Sequence, residues 1–249
     1  MAEEVLCRVE NGIAVVTMNR PESANSLSIS LMIRLRETLN QLEADDSTKV
    51  IILTGSGEKA FCAGIDIKER EKMTQEEVLR SRPLHVMPLF RDIEEMTKPL
   101  IAAINGVALG GGAELALSSD MRIAAENGSF GMIEIRWGII PIGGSCQRLP
   151  RIIGSGRAKE LIFTGRIIDA KEAERIGIYN RVVPSGQLID MTHQLAEEIS
   201  RNSLVAVRQA KKTMNLGANL HIALAFDYEA SKECYFVRDT EGPGLKGKK

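Results

Sequence analysis

The sequence is poor in the residues that most often hold metals or form covalent cross-links. It contains four cysteines in 249 residues, with no C-x-x-C pair, and three histidines, none at metal-ligand spacing to another histidine or cysteine. The scattered cysteines fit buried thiols in a reducing compartment better than a disulfide framework or a zinc site. A triad built on histidine is disfavoured for the same reason, so acid–base chemistry is expected from carboxylates.

Excess charge and long apolar runs are also absent. Lys and Arg number 32 against 33 Asp and Glu, which argues against a nucleic acid or an anionic membrane surface as a partner held by bulk charge. No apolar run approaches the roughly 20 residues that a membrane helix needs. The first residues, MAEEVLCRVENG, lack the pattern of a secretory signal, so we expect a cytoplasmic protein. A mature organellar form without its transit peptide would have the same sequence features.

Three apolar runs rich in β-forming residues divide the first half of the chain. They are GIAVVTM (12–18), VIILTG (50–55) and LIAAING (100–106). The gaps between them carry helical patterns, with leucines at helical spacing over residues 31–42 in the first gap. Continuous apolar strands separated by helices are typical of a buried parallel sheet with helices outside it. The expected fold class is therefore α/β.

The last third of the chain is predicted to be helical. Apolar residues at helical spacing over 188–199 form one face of a helix that we expect to begin near Ser185, a residue suited to the N-cap. Helical patterns continue to about Phe236. We expect one α/β body, residues 1–200, and a helical region, residues 201–249.

Three glycine-rich segments have the composition of phosphate-binding loops. GSGEKA at 55–60 fits G-x-G-x-x-A after a strand but runs into another loop instead of a helix, and GSG at 154–156 follows no convincing strand. Turn glycines explain both better than a nucleotide site does. GGG at 110–112 instead leads from an apolar run into good helix formers, so its amides suit an oxygen that becomes anionic during a reaction. Close packing of helix on strand is an equally weighted alternative.

Five segments, in order along nearly the whole chain, resemble the enoyl-CoA hydratase/isomerase family, or crotonase superfamily. They are NRPESANSLS (19–28), FCAGIDIKE (61–69), KPLIAAINGVALGGGAELAL (98–117), FGMIEIRWGIIP (130–141) and the stretch from QRLP to NRVV (147–183). The resemblance implies a crotonase-like spiral of β-β-α units with a C-terminal helical oligomerisation region, and hence a homotrimer or a dimer of trimers. It also implies an acyl-CoA thioester as substrate and no metal or redox cofactor.

The resemblance assigns the catalytic groups. The backbone N–H groups of Ile65 and Gly111 would form an oxyanion hole for the enolate oxygen of the thioester. The hydratases of the family carry two glutamates, and the matching positions are Glu114 and Glu134. Glu114 would help to activate the water that adds to the β-carbon, and Glu134 would supply the α-proton. A solvated surface carboxylate is the alternative for each glutamate.

Coenzyme A binding is assigned in the same way. Backbone groups around Ala63, Asp66 and Ile67 would contact the adenine, Lys68 would approach a phosphate, and Ser26 would lie beside the pantetheine arm. A solvated helix lysine is at least as good an interpretation of Lys68.

Two positions and the tail depart from the family pattern. Ile142 stands where the Pro-Gly-x-Gly-Gly-Thr pattern has a glycine, and Trp137 replaces a usual aliphatic residue. The usual Ala-Phe-x-Glu-Lys-Arg segment is replaced by PGLKGKK near the C-terminus. These differences do not change the predicted reaction type, but they leave the identity of the acyl group undetermined.

The sequence therefore predicts a hydro-lyase that adds water to an enoyl-CoA thioester. Double-bond isomerisation and hydration of a cyclic dienoyl thioester are the alternative reactions within the family. The alternative without enzymatic activity is a protein that only binds acyl-CoA. Retention of both glutamates favours hydration over these. A nucleotide-dependent oxidoreductase ranks last because the glycine loops lie in the wrong context.

Overall fold

A computed structural model describes residues 3–216, and their strands form two sheets. The strands are β1 Val5–Glu10, β2 Ile13–Met18, β3 Val50–Gly55, β4 Ala60–Cys62, β5 Leu100–Ile104, β6 Val107–Leu109, β7 Met121–Ala125, β8 Ser129–Gly131, β9 Ile167–Asp169 and β10 Arg181–Val183. The larger sheet has the order β1-β2-β3-β5-β7-β10, and the smaller one has the order β4-β6-β8-β9.

The centre of the larger sheet confirms the parallel arrangement predicted from the apolar runs. The three runs form β2, β3 and β5, which are adjacent and parallel. Every residue of β3 and β5 is buried, as expected for strands covered on both faces. The edge strand β1 pairs antiparallel with β2 and is exposed along most of its length, so it carries no apolar run.

Consecutive strands alternate between the two sheets. β3, β5 and β7 lie in the larger sheet, and the strands that follow each of them, β4, β6 and β8, lie in the smaller one. The smaller sheet is parallel except for its edge strand β9. This stepwise repetition confirms the expected spiral of β-β-α units and the α/β fold class.

Ten α-helices surround the sheets within the described residues. They are α1 Ile29–Ala44, α2 Ile67–Arg70, α3 Gln75–Ser81, α4 Met87–Glu95, α5 Gly111–Ser118, α6 Ser145–Ile153, α7 Ser155–Thr164, α8 Ala170–Arg175, α9 Leu188–Ser200 and α10 Leu204–Leu216. The predicted leucine face of α1 is buried in the main core, and the Ser28 hydroxyl accepts the Leu31 N–H at the N-cap. A π-helical turn, Arg82–Val86, joins α3 to α4.

The prediction that Ser185 is the N-cap of the next long helix is wrong. Ser185 begins a short 3-10 turn, Ser185–Gln187, and its hydroxyl donates to Asn127 Oδ1 at 2.9 Å. The helix α9 starts at Leu188, its N-cap residue is Gln187, and no side chain caps it. The apolar face over 188–199 packs against the larger sheet, as predicted.

The last described helix, α10, is anchored to the body by polar bonds. Lys211 Nζ donates to Asp120 Oδ2 at 2.7 Å and to the Lys98 carbonyl at 2.9 Å. Asn215 Nδ2 donates to the Glu94 carbonyl at 3.1 Å. The predicted helical pattern beyond residue 216 and the altered tail lie outside the described residues, so the division at residue 200 and the oligomerisation role remain predictions.

The cysteines only partly match the expected buried thiols. Cys62 is buried, which raises its thiol pKa to about 12 and makes it a poor nucleophile. Cys7 is exposed on the edge strand, Cys146 is half-buried, and Cys234 lies outside the described residues. No helix within residues 3–216 combines the length and the apolar composition needed to cross a bilayer.

Candidate active site

The three glycines at 110–112 place the start of α5 against the loop that follows β4. Gly110 adopts φ +50°, a conformation that favours glycine, and ends the strand before the helix. A Cβ on Gly112 would lie 2.0 Å from the Cys62 carbonyl oxygen, whereas the atoms nearest a Cβ on Gly111 would lie 3.4 Å away. Close packing therefore explains Gly112, whereas an added Cβ at Gly111 would make ordinary van der Waals contacts with Leu27 and Ile65.

The amides expected to form the oxyanion hole lie on these two facing segments. A Cβ on Gly111 would be 3.5 Å from the nitrogen of Ile65. A parallel bridge beside Ile65 uses the N–H of Leu27, which donates to the Gly64 carbonyl at 2.7 Å, and the N–H of Asp66, which donates to the Leu27 carbonyl at 3.0 Å. This pattern turns the Ile65 N–H away from Leu27. The Gly111 N–H begins α5 and has no acceptor within the helix.

Glu114 lies in the first turn of α5 with its side chain held by a loop. The residue is 3% exposed, and its Oε1 accepts the N–H of Gly143 at 2.7 Å. A Cβ on Gly143 would lie 2.9 Å from Glu114 Cδ and 2.7 Å from the ring of Phe90. Glycine is therefore required at position 143 for the peptide to reach the carboxylate.

Glu134 is buried beside the same helix start without a partner of its own. It begins the 3-10 turn Glu134–Trp137 and is 9% exposed. Within residues 3–216, neither of its carboxyl oxygens has a hydrogen-bond partner, and Oε1 would lie 3.5 Å from a Cβ on Gly110. Burial and then the charge of Glu114 raise the pKa of Glu134 well above its usual range. The side chain thus favours the protonated form.

The arrangement is suited to acid–base chemistry on a substrate that develops negative charge on oxygen. Glu114 accepts a hydrogen bond, whereas Glu134 is buried without one and has a raised pKa. The Ile65 nitrogen lies beside Gly111, and Gly111 is in the first turn of α5, which also carries Glu114. Within the described part of the chain, no group of three or more metal-ligating side chains occurs.

The residues assigned to coenzyme A lie along one edge of this site. Ser26 and Asp66 are buried, Ala63 and Ile65 are half-buried, and Ile67 and Lys68 are exposed at the start of α2. The Ser26 carbonyl accepts Arg20 Nη1 at 2.7 Å. The segment is therefore open to solvent at Ile67 and Lys68 and covered at Ser26 and Asp66.

The Asp66 carboxylate is engaged in holding this segment together. It accepts Arg20 Nη2 at 2.9 Å and caps α2 through the Glu69 N–H at 3.1 Å. Burial opposes its ionisation, but the bonds from Arg20 and Glu69 outweigh burial and lower the pKa of Asp66. The backbone of Asp66 is engaged as well, since its N–H donates to the Leu27 carbonyl at 3.0 Å and its carbonyl accepts the Arg70 N–H at 3.0 Å.

Known proteins are similar to this chain in both sequence and architecture. The sequence matches the family profile described as enoyl-CoA hydratase/isomerase over residues 8–241. The chain belongs to the enoyl-CoA hydratase/isomerase family. Within this family, the short-chain-enoyl-CoA hydratase of Clostridium acetobutylicum is 42% identical over 239 residues, which cover 94% of this chain and 90% of that protein.

Two further members of the enoyl-CoA hydratase/isomerase family support the assignment. The crotonyl-CoA hydratase of Syntrophomonas wolfei is 38% identical over 239 residues, covering 95% of this chain and 92% of the relative. The 1.8 Å crystal structure of enoyl-CoA hydratase from Bacillus anthracis has a TM-score of 0.85 and 42% identity, covering 94% and 90% of the two chains. These matches confirm the resemblance, the fold class and the enzyme class predicted from the sequence.

Several residues that hold the candidate active site in place were not identified from the sequence. Asn25 is fully buried at φ +53°, and its Nδ2 donates to the Ser56 and Ala60 carbonyls at 3.0 and 2.8 Å. Asparagine tolerates positive φ, but no local pattern identifies Ser56 and Ala60, which lie 31 and 35 residues away, as its partners. Phe90 and Gly143 were missed because Phe90 packs beside Gly143, and Gly143 binds Glu114, across distant parts of the chain.

The two positions that depart from the family pattern lie near the site. Ile142 is half-buried between Pro141 and Gly143 and packs against the main core. Trp137 is half-buried at the end of the turn that begins at Glu134. Their expected effect on the acyl pocket remains a prediction.

Proposed function

We propose that this enzyme adds water reversibly across the 2,3 double bond of an enoyl-CoA thioester. Glu114 and Glu134 act as the acid–base pair, and the amides of Ile65 and Gly111 form the oxyanion hole. The observation that carries the proposal is the buried, unpartnered Glu134, whose pKa is raised by burial and by the charge of Glu114. A buried carboxyl group without a partner is costly to the fold, so a role in chemistry accounts for it.

The thioester oxygen would accept hydrogen bonds from the amides of Ile65 and Gly111. Backbone donors need little reorganisation during the reaction, and each such donor is typically worth about 10²–10³ in rate when charge develops on oxygen. Water, deprotonated by Glu114, forms the new bond to the β-carbon, and the π electrons move into the enolate. Glu134 then delivers its proton to the α-carbon, which completes the addition, and the proton that Glu114 took from water passes to Glu134 and restores the pair.

The proposed reaction needs no cofactor beyond the substrate itself. Addition of water leaves the overall oxidation state of the acyl group unchanged, so no redox group is required. The two amides polarise the thioester carbonyl, which is the task that a Lewis acid would otherwise perform. Coenzyme A enters as part of the substrate.

Coenzyme A is proposed to lie along the segment that carries Ala63, Asp66 and Ile67. This part of the site has an exposed end, where Lys68 extends into solvent. A phosphate group there would meet a cation that forms no other ion pair among the described residues. Ser26 is proposed to flank the pantetheine arm at the buried end.

The assembly is proposed to be a homotrimer or a dimer of trimers in the cytoplasm. Helical regions appended to an α/β body commonly bury a shared face. Light scattering on the purified chain measures the mass directly. A mass of three or six chains supports the proposal, and a monomeric mass contradicts it.

The loss of ultraviolet absorbance of crotonyl-CoA tests the reaction. We expect rapid loss with the wild type, loss reduced at least about 10³-fold in Glu114→Gln and in Glu134→Gln, and crotonyl-CoA binding retained by both variants. Glu76→Gln, at an exposed position on α3, is the matched control and should keep full activity. Hydration that survives either variant contradicts the assignment, and movement of the double bond in place of hydration would indicate an isomerase.

A further inference from the structure

Arg148 connects the loop beside Glu114 to helix α4. The residue lies on α6 and is only 6% exposed. Its Nη2 donates to Glu94 Oε2 at 2.7 Å, and its Nη1 donates to the carbonyl oxygen of Gly143. One guanidinium group therefore links α4, α6 and the loop that precedes α6.

Gly143 is held at both of its peptide groups. Its N–H donates to Glu114 Oε1 at 2.7 Å, and its carbonyl oxygen accepts Nη1 of Arg148. The ring of Phe90 closes one side of the residue. Glycine has the widest backbone freedom of any residue, so these bonds fix an orientation that its own sterics do not impose. If Arg148 no longer binds the Gly143 carbonyl, the backbone at Gly143 can rotate and its N–H can turn away from Glu114.

We infer that Arg148, held by Glu94, is a positioning residue that orients Glu114 through Gly143. This inference rests on the proposed function, because it takes Glu114 to be one of the two acid–base groups. The planar guanidinium suits the task because it donates along two fixed directions at once. A lysine ammonium at this position can bind the Glu94 carboxylate or the Gly143 carbonyl, but it does not donate to both along the two fixed directions of the guanidinium.

The kinetic test compares Arg148→Lys with Arg36→Lys, whose guanidinium pairs with Asp92 on the same helix α4. We expect Arg148→Lys to lower kcat for crotonyl-CoA by about 10–100-fold with KM changed less than about twofold, because misplacement of a reacting group affects the chemical step. Arg36→Lys should change kcat by less than about twofold. Kinetics that show the same loss in both variants, or none in Arg148→Lys, overturn the inference.

A double-variant cycle separates positioning of Glu114 from a general structural effect. If Arg148 acts through Glu114, Arg148→Lys should lower the residual rate of Glu114→Gln by less than about twofold. Multiplicative losses in the double variant would overturn the inference. If circular dichroism shows that Arg148→Lys is unfolded, Glu94→Gln takes its place, with an expected loss of about 3–10-fold and the same lack of additivity.

Amide hydrogen exchange gives a readout that does not depend on activity. In Arg148→Lys, we expect faster exchange over residues 141–147 than in the wild type, and no such change in Arg36→Lys. Unchanged exchange would show that Arg148 does not hold the loop. Wild-type protein that hydrates neither crotonyl-CoA nor hexenoyl-CoA would contradict the proposed function, and the exchange result would still decide the role of Arg148 in holding Gly143.

Discussion

Glu134 lies beside the first turn of the helix that carries Glu114, although the two glutamates are 20 residues apart in the sequence. Burial and then the charge of Glu114 raise the pKa of Glu134, whereas Glu114 accepts an N–H from Gly143. Two carboxyl groups in such different surroundings can hold different protonation states at one pH. The fold therefore supplies the difference that an acid–base pair requires.

Replacement of Glu134 by glutamine is expected to stabilise the protein while it removes activity. The pKa of Glu134 is higher in the folded state than its ordinary value of 4.5, so the folded state keeps a proton that the unfolded state has lost. The free energy of unfolding therefore falls as pH rises from about 4.5 to the raised pKa. Glutamine does not titrate, so we expect the variant to be more stable by about 1 kcal/mol at pH 8 and equal to the wild type near pH 4.

Urea unfolding at the two pH values measures this difference. Glu76→Gln, at an exposed position, should show no pH-dependent gain. A gain for Glu134→Gln that is the same at pH 4 and pH 8 would mean that the charge of Glu134 is not its source.

Gly143→Ala should impair both catalysis and stability. The new methyl group would lie 2.7 Å from the Phe90 ring and 2.9 Å from Glu114 Cδ, so one of them has to move. We expect kcat to fall by about 10²-fold and the free energy of unfolding to fall by about 1–3 kcal/mol. Steady-state hydration assays and urea unfolding measure the two effects.

Gly156→Ala is the control for this substitution. Gly156 lies in α7 with no atom within 4 Å of an added Cβ, so alanine should be neutral or stabilise by up to about 1 kcal/mol. Equal activity losses in the two variants would show that the contact with Glu114 is not the cause.

Asp66→Asn should weaken the segment that presents the Ile65 amide. Because the folded-state pKa of Asp66 is lowered below its ordinary value of 3.8, its ionised form stabilises the fold above that pH. This contribution is lost as pH falls through the lowered pKa. We expect the variant to lose about 1 kcal/mol of unfolding free energy at pH 7, with a smaller difference below pH 3.8, and to lose several-fold in kcat.

Asp169→Asn controls for the helix cap. Asp169 caps α8 through the Glu172 N–H, as Asp66 caps α2, and asparagine is also a good N-cap residue. Only Asp66 also binds Arg20, so its variant should lose more stability and more activity. Equal effects of the two substitutions would show that the ion pair of Asp66 with Arg20 does not cause the loss.

The sequence was most informative where burial imposes a pattern on single elements. The apolar runs predicted β2, β3 and β5 because strands covered on both faces admit few polar residues. The strands β4, β6 and β9 of the smaller sheet escaped notice because each has three residues, too few for a period to show. The order of that sheet depends on long-range pairing that no local pattern contains.

The candidate site shows the same division. Glu114 and Glu134 were found through the family resemblance, since nothing in their local sequence pairs them. The Asp66 cap had a local signal, because a glutamate follows three residues later, a spacing typical of helix starts. The bonds of Arg148 to Glu94 and Gly143 had none, because the first joins residues 54 positions apart.

Ile142→Ala should widen the range of acyl groups that the enzyme accepts. Ile142 is half-buried against the main core and precedes Gly143, which contacts Glu114. Loss of its branched side chain should raise kcat/KM for hexenoyl-CoA relative to crotonyl-CoA by about 10-fold, since each methylene in an apolar pocket is worth about 1–3 kcal/mol. Ile152→Ala, which removes a half-buried side chain from the same core on α6, controls for lost packing and should leave the ratio unchanged. A ratio that changes equally in both variants, or in neither, would place Ile142 outside the acyl pocket.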